Sequence, residues 1–518
     1  MRVLYTWFFA LILFPALLFA QNERASNPII FADVPDLSMI RVGETYYMSS
    51  TTMHMSPGVP IMKSSDLVNW ELVNYAYHTL VDNPAMNLDQ GQNSYGKGSW
   101  ASCLRYHDGI FFLSTFAATS GKTHIFKTSD IENGTWEEIS FEPSYHDHTI
   151  YFDEDKTYMI WGAGDLMIVE LEKDLSGVLA GSERVLVENA SVVAGENIGL
   201  PAEGSQIFKK DNYYYLLNIT WPKGGMRTVL VHRSEKITGP YEGKVALHDR
   251  GIAQGGLIDT PDGNWFAYLF RDYGAVGRIP YLVPVDWVDG WPVLGEEGKV
   301  PDFLDLPSGK RGIPMIVATD DFVREDHDYT LPLVWQWNHN PINTHWSLKE
   351  RPGFLRLRND RVDSHVLETR NTLTQRTFGP KSNAITKLDF TGLKEGDNAG
   401  MILLQKEYGF IGVKRASGKS NLIVEISGEI TAQIPLEGNI VYLKAACDFE
   451  NMKDQARFYY SLDGENWEQI GDILSMKYTL PHFMGYRFGL FSFGTQSKGG
   501  FADFKFFKIE GEGRNDEE

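Results

Sequence analysis

Short apolar-alternating runs cover most of this chain, and five of them break at an acidic turn with an aromatic three positions later. The pairs are Glu44 and Tyr47, Asp108 and Phe111, Asp155 and Tyr158, Asp211 and Tyr214, and Asp262 and Trp265. The segments VGETYYM, HDGIFFL, DEDKTYM, KDNYYYL and PDGNWFA each predict a β-hairpin: alternating strand, polar turn, aromatic-rich strand. Their spacing of roughly 50–65 residues suits successive propeller blades. Outer turns follow in SSDLVNW (64–70), TSDIENGTW (128–136) and RSEKITGPY (233–241). No helical periodicity competes, so residues 27–306 are expected to form five blades.

Such a repeat gives equivalent positions a common direction. Eight residues before the acidic turn residues stand Asp36, Trp100, Asp147, Glu203 and Gln254. On the innermost strands of a propeller these positions face one central channel. Three of them are carboxylates.

Near residues 300–325 the texture changes. VPDFLDLPSGKRGIPMI carries Pro, Gly and charge, and reads as a linker. Beyond it, short strands such as AGMILLQ, LIVEIS and RFGLFSF predict a β-sandwich over 320–510. The fold class is therefore all-β, a five-bladed propeller followed by a sandwich. The tail GEGRNDEE (511–518) is expected to be disordered.

Composition narrows the partners. A chain of 518 residues has room for two domains. A net charge of -20 argues against nucleic acid or an anionic membrane surface. An aromatic content of 13% suits sheet cores and ring stacking on sugars. Residues 1–20, MRVLYTWFFALILFPALLFA, place one Arg before an apolar run broken by Pro15. This predicts a secretory signal peptide, hence a periplasmic or secreted protein; a membrane anchor would need a longer run. Cys103 and Cys447 fall in different predicted domains and are expected to be buried free thiols.

Carboxylates sharing an apolar-walled channel cannot all ionise freely, so at least one keeps its proton. Glycosidic-bond hydrolysis needs that division, one protonated acid and one ionised base. The bland alternative makes Asp36 in VPDLS and Asp147 in YHDHT turn residues that bond backbone amides. Glu203 in PAEGSQI stands between small residues before an apolar strand, which is harder to read as structural. Trp100 suits stacking on a sugar face, with core packing as the alternative. Gln254 offers an amide to a hydroxyl. Arg278 in GAVGRIPYL offers a fork to substrate hydroxyls or a carboxylate; a surface salt bridge is the alternative. His54 in TTMHMSPG is a further substrate-binding candidate, with His148 beside it in rank. No spacing makes a zinc site.

At these residues the chain resembles glycoside hydrolase family 43. NPIIFADVPDLSMIRVGETYYM is similar to the family's opening, whose Asp is the general base; that position is Asp36. HDHTIYFDEDKTYMIWG is similar to the segment whose Asp orients the acid and keeps it protonated; that position is Asp147. AEGSQIFKKDNYYYLLN is similar to the segment carrying the general acid, here Glu203. GSWASCLRYHDGIFFL resembles the stretch around a subsite Trp, here Trp100, and VGRIPYLVPVDWVDGWPVLG the stretch holding a substrate-binding Arg, here Arg278. LVWQWNHNP resembles the concanavalin-like sandwich of the xylosidase and arabinofuranosidase branch. Gln254 stands where the family often has a His near a bound calcium, so no metal and no cofactor are carried over.

The resemblance implies a secreted, inverting exo-hydrolase acting on arabinose- or xylose-terminated oligosaccharides. The expected activity is release of terminal α-L-arabinofuranose from plant hemicellulose, with xyloglucan side chains as the narrowest expectation, from the form met in gut Bacteroidetes. An exo-β-1,4-xylosidase is the alternative within the same chemistry. A retaining fructan hydrolase would carry a different opening and an Arg-Asp-Pro triplet, whereas Arg271 and Asp272 precede Tyr273. A non-catalytic carbohydrate-binding propeller is the alternative of another class. The sequence sets no oligomeric state.

Overall fold

The computed structural model describes residues 24–307, 316–325 and 328–511. The expected signal peptide lies outside these residues, as does the tail from 512 onward. Gly511 itself ends the strand Gly500–Gly511 and pairs with Ser382, so the disordered tail expected from 511 cannot begin there.

Five four-stranded antiparallel sheets make the blades. Their first strands are Ser38–Val42, Cys103–His107, Thr149–Asp153, Ile198–Lys210 and Ala253–Asp259. Each packs against the first strands of two neighbouring blades, and the fifth against the first, which closes the ring. Four of the acidic turns are two-residue hairpin turns, and the fifth is the longer loop 260–264. At Asp108–Gly109 both central residues have positive φ (48° and 81°), the twist a tight hairpin needs. The outer turns lie between third and fourth strands. There Asp66 Oδ1 accepts from Val68 and Asn69 N–H, and Asp130 Oδ1 from Glu132 and Asn133 N–H.

Among the described residues no strand is exchanged between the first and last blades. Segment 27–34 clasps them instead. Asn27 Nδ2 donates to Leu282 and Pro301 carbonyls at 2.8 and 2.9 Å, while Leu282 N–H donates back to Asn27 Oδ1 at 3.0 Å. Arg41 and Asp259 add an ion pair across the same seam.

The second domain is a sandwich of an eight-stranded and a seven-stranded sheet. The outermost strand of the larger sheet, Met55–Ser56, comes from the propeller and pairs with Trp337–Asn338. Asp33 fastens the seam from the other side. Its carboxylate accepts from Arg278 N–H (2.7 Å) and Gly485 N–H (2.9 Å), and its carbonyl from Arg376 Nε (3.0 Å). Gly277 has φ 106°, and a Cβ there would lie 2.1 Å from Asp33 Oδ1, so only glycine lets this staple close. Cys103 and Cys447 are buried free thiols.

Candidate active site

Asp36, Trp100, Asp147 and Gln254 lie at or just before the N-terminal ends of the innermost strands, and Glu203 holds the same place in a strand that starts earlier, at Ile198, so one end of the channel carries them all. Asp36, Asp147 and Gln254 adopt the left-handed backbone region, with φ of 51°, 46° and 55°. Non-glycine residues pay strain to sit there, and such positions gather at functional sites. On the fourth blade the positive φ falls one residue later, at Gly204 (66°). A Cβ on Gly204 would lie 2.9 Å from Gln254 Cγ, so the glycine seats Gln254 beside Glu203.

Asp36 makes its ion pair with Arg278. Arg278 Nη1 donates to Asp36 Oδ1 at 2.7 Å, and both side chains are 4% exposed. Burial pushes Asp36 above the usual carboxylate range while Arg278 opposes the shift. Burial would lower Arg278, but Asp36 together with Tyr478, Asp33 and Asp272 offsets that and holds it above its ordinary value. Arg278 Nε and Nη2 are buried donors with no hydrogen-bond partner among the described residues, as is Trp100 Nε1. Buried donors left open at a channel end are what sugar hydroxyls satisfy.

Glu203 and Asp147 form the opposite group. Sequence reasoning missed their link, His146. Its Nε2 lies 3.1 Å from Glu203 Oε2 and 3.7 Å from Asp147 Oδ2. The hydrogen bond to Glu203 and the surrounding carboxylates raise His146 to about 9. Burial first, then the negative charges of Glu203 and Asp36, push Asp147 up to about 7, against the pull of His146 and Arg278. The cluster thus holds a dissociable proton near neutral pH. One ligand atom from each of the three residues lies within 4.8 Å of the others, the one such grouping among the described residues. A cation there would displace the proton that an acid must carry.

The sandwich completes the wall. Its loop 476–486 brings Phe483 to 4.8 Å from the Trp100 ring and 4.6 Å from the Arg278 guanidinium. No repeat signal marks Phe483, because it lies outside the propeller. The fourth blade's hairpin overhangs the channel end, since its first two strands run over 13 and 10 residues. The overhang exposes Trp221, 42% accessible, whose Nε1 is fixed on the Gly225 carbonyl at 3.0 Å. Arg227 lies 5.6 Å from that ring, pairs with Asp272, and reaches Asp36 electrostatically.

His54 is not in the channel. It is fully buried in the domain seam, with ring centroids 4.7 Å from Tyr95 and 4.7 Å from His339. The reason is the excursion of Met55–Ser56 into the sandwich sheet, which carries His54 with it. His148 is also buried, its Nδ1 on the Tyr145 carbonyl at 2.9 Å.

A ring of β-blades with carboxylates at one channel end, backed by an arginine and aromatics, has the chemistry a glycoside hydrolase needs. The chain belongs to glycosyl hydrolases family 43, whose description matches residues 25–292, and residues 319–510 match the β-xylosidase C-terminal concanavalin A-like domain. It is 31% identical to a β-xylosidase of Formosa agariphila, over 94% of this chain and 90% of that protein. It is 28% identical to the non-reducing end α-L-arabinofuranosidase BoGH43B of Bacteroides ovatus, over 79% of this chain and 77% of that protein. A solved structure described as a bifunctional GH43-CE of Bacteroides eggerthii is 60% identical, with a TM-score of 0.93 over 94% of this chain. The chain spans 64% of that bifunctional protein's length.

Proposed function

We propose that this enzyme is an inverting exo-hydrolase that removes terminal α-L-arabinofuranosyl groups from plant hemicellulose, with xyloglucan side chains the first polymer to test. The observation that carries the reading is the division of the carboxylates. Asp36 stands against a guanidinium, which favours its ionised form, while Glu203 and Asp147 share one imidazole and burial holds the proton on Asp147.

In this reading Asp36 takes a proton from water as the oxygen attacks the anomeric carbon. Glu203 gives a proton to the leaving oxygen. Asp147 and His146 hold the acid in place, and His146, whose side chain is 45% exposed, returns a proton from solvent. Trp100, Phe483 and the open donors of Arg278 enclose the terminal sugar. Trp221 overhangs on the hairpin that carries Glu203, so it flanks the leaving group. The apolar run at 1–20 supports export to the periplasm or beyond.

The β-xylosidase alternative draws on the name of the Formosa agariphila relative. Rates on nitrophenyl α-L-arabinofuranoside and β-D-xylopyranoside separate the two; a strong xyloside preference replaces arabinose with xylose as the released sugar. Proton NMR of the first-formed product tests the stereochemistry. The inverted anomer is expected, and a retained anomer overturns the mechanism.

A further inference from the structure

Behind the wall of the terminal-sugar pocket lies a second cavity. It is a cleft of about 680 Å³ between residues 88–97 of the propeller and residues 361–368, 406 and 480–482 of the sandwich. Its volume is in the range of ligand sites. The two cavities share walls but not faces. Trp100 and Phe483 line the first, whereas Lys97, Pro481 and His482, on the same two segments, line the second.

The cleft is basic in an acidic protein. Its charged lining is Lys97, Lys406, Arg361 and Glu368, three cations to one anion, while the whole chain carries -20. Arg361 is engaged by Asp363 at 2.6 Å and Asp89 at 3.2 Å. Glu368 accepts from Ser364 Oγ at 2.6 Å. Lys97 and Lys406 are exposed, and among the described residues neither ammonium has an ion-pair partner. The rest of the lining is partly apolar and aromatic. Leu480 is 72% exposed, and the Tyr95 ring is stacked on His482 at 3.9 Å with planes 4° apart. A pyranose needs such a surface for its C–H face, and a carboxylate on that pyranose needs the two ammoniums.

We propose that this interdomain cleft binds a hexuronate-bearing stretch of the polysaccharide, apart from the pocket that cleaves the terminal sugar. The proposal rests on the glycosidase reading for its choice of a carbohydrate. It makes the sandwich an acidic-glycan receptor that keeps the enzyme on decorated chains. Electrostatic recognition of this kind weakens with salt.

The test uses the full chain bearing Asp36→Asn, so that bound oligosaccharide is not consumed. Calorimetric titration compares two oligosaccharides of the same backbone, one neutral and one carrying a single glucuronate, with inorganic phosphate as a third arm. The uronate form is expected to bind about tenfold tighter at low salt. Adding Lys97→Gln with Lys406→Gln, or raising the salt to about 0.5 M, is expected to remove that preference. Equal affinity for the two oligosaccharides overturns the proposal, as does a preference that survives both lysine substitutions. Phosphate that competes as well as the oligosaccharide overturns the carbohydrate assignment. Lys97→Gln with Lys406→Gln in the active enzyme is expected to leave nitrophenyl arabinofuranoside turnover unchanged. If the enzyme with Asp36 intact turns over neither aryl glycoside, the reading of the catalytic pocket fails instead, and the binding arms still judge the cleft.

Discussion

Two groups of titratable side chains flank the segments that carry Trp100 and Phe483, and they treat histidine in opposite ways. On the channel side His146 contacts Glu203 and Asp147 and is raised to about 9. In the domain seam His54, His339 and His482 gather around Tyr95 with no carboxylate among them. Burial drives His54 and His339 well below their ordinary value and His482 to about 3. His339 shows how the neutral form is kept: Nε2 accepts from Ser94 N–H and Nδ1 donates to Asn338 Oδ1, both at 3.0 Å. Desolvation acts against the imidazolium in both places. The company decides the outcome. Carboxylates turn one group into a proton store for chemistry, and their absence turns the other into neutral packing that joins two domains.

The largest expected effect comes from removing the charge that makes the channel group reactive. Asp147→Asn is expected to lower kcat/KM by about 10²–10⁴, the range for a disrupted acid–base pair. The same change is expected to stabilise the fold. Asp147 has a folded pKa near 7, above its unfolded 3.8, so its ionisation destabilises the native state increasingly from pH 4 to 7 and fully above 7. Denaturant unfolding at pH 8 is expected to show a gain of about 1–2 kcal/mol that vanishes below about pH 4. Lost activity without any gain in stability would mean that Asp147 ionises in the fold as easily as in the unfolded chain.

The seam group predicts the opposite slope. A histidine held neutral in the fold takes up a proton only when unfolded, so stability present above pH 6.5 is lost as pH falls below it. Each such histidine contributes up to about 1.4 kcal/mol per pH unit in that window. His482→Phe keeps a ring against Tyr95 and removes one proton site. The pH slope of unfolding free energy between 6.5 and 5 is expected to flatten by about one proton. An unchanged slope would show that the seam histidines are charged in the fold, and the contrast with His146 would collapse.

How much of this was legible in sequence depends on what fixes each residue. Asp36, Trp100, Asp147, Glu203 and Gln254 share one place in a repeat, and alternation along an inner strand sets their direction before any tertiary contact is known. The outer turns at 64–70, 128–136 and 233–241 were readable for the same reason, since Ser and Asp side chains close them locally. Phe483 was not readable. It stands nearly four hundred positions from Trp100, and only the docking of two domains brings them together. His54 misled because the strand excursion at Met55–Ser56 is a tertiary event that overrides the local pattern. His146 was hidden by adjacency. Asp147 stands at the repeat position, and nothing in HDH says which flanking imidazole meets the acid on the next blade.

The finest distinction lies in His146 itself. With Asp36 as base, activity falls on the acid side as Asp36 gains its proton, at a pH above the usual carboxylate range. It falls on the alkaline side as the pair of His146 and Asp147 loses its proton, between about 7 and about 9. His146→Gln keeps a polar side chain at Glu203 but removes a positive charge that holds Asp147 down. Two carboxylates within 4.8 Å then face each other without an imidazolium, so one retains its proton to higher pH. The alkaline limb of kcat/KM is therefore expected to move up, with a maximum rate lowered by about tenfold or less for want of the solvent relay. The acid limb, set by Asp36 and Arg278, stays where it was. A downward move of the alkaline limb would identify the imidazolium proton as the one the reaction spends. The channel histidine would then differ from the seam histidines in chemical role as well as in charge.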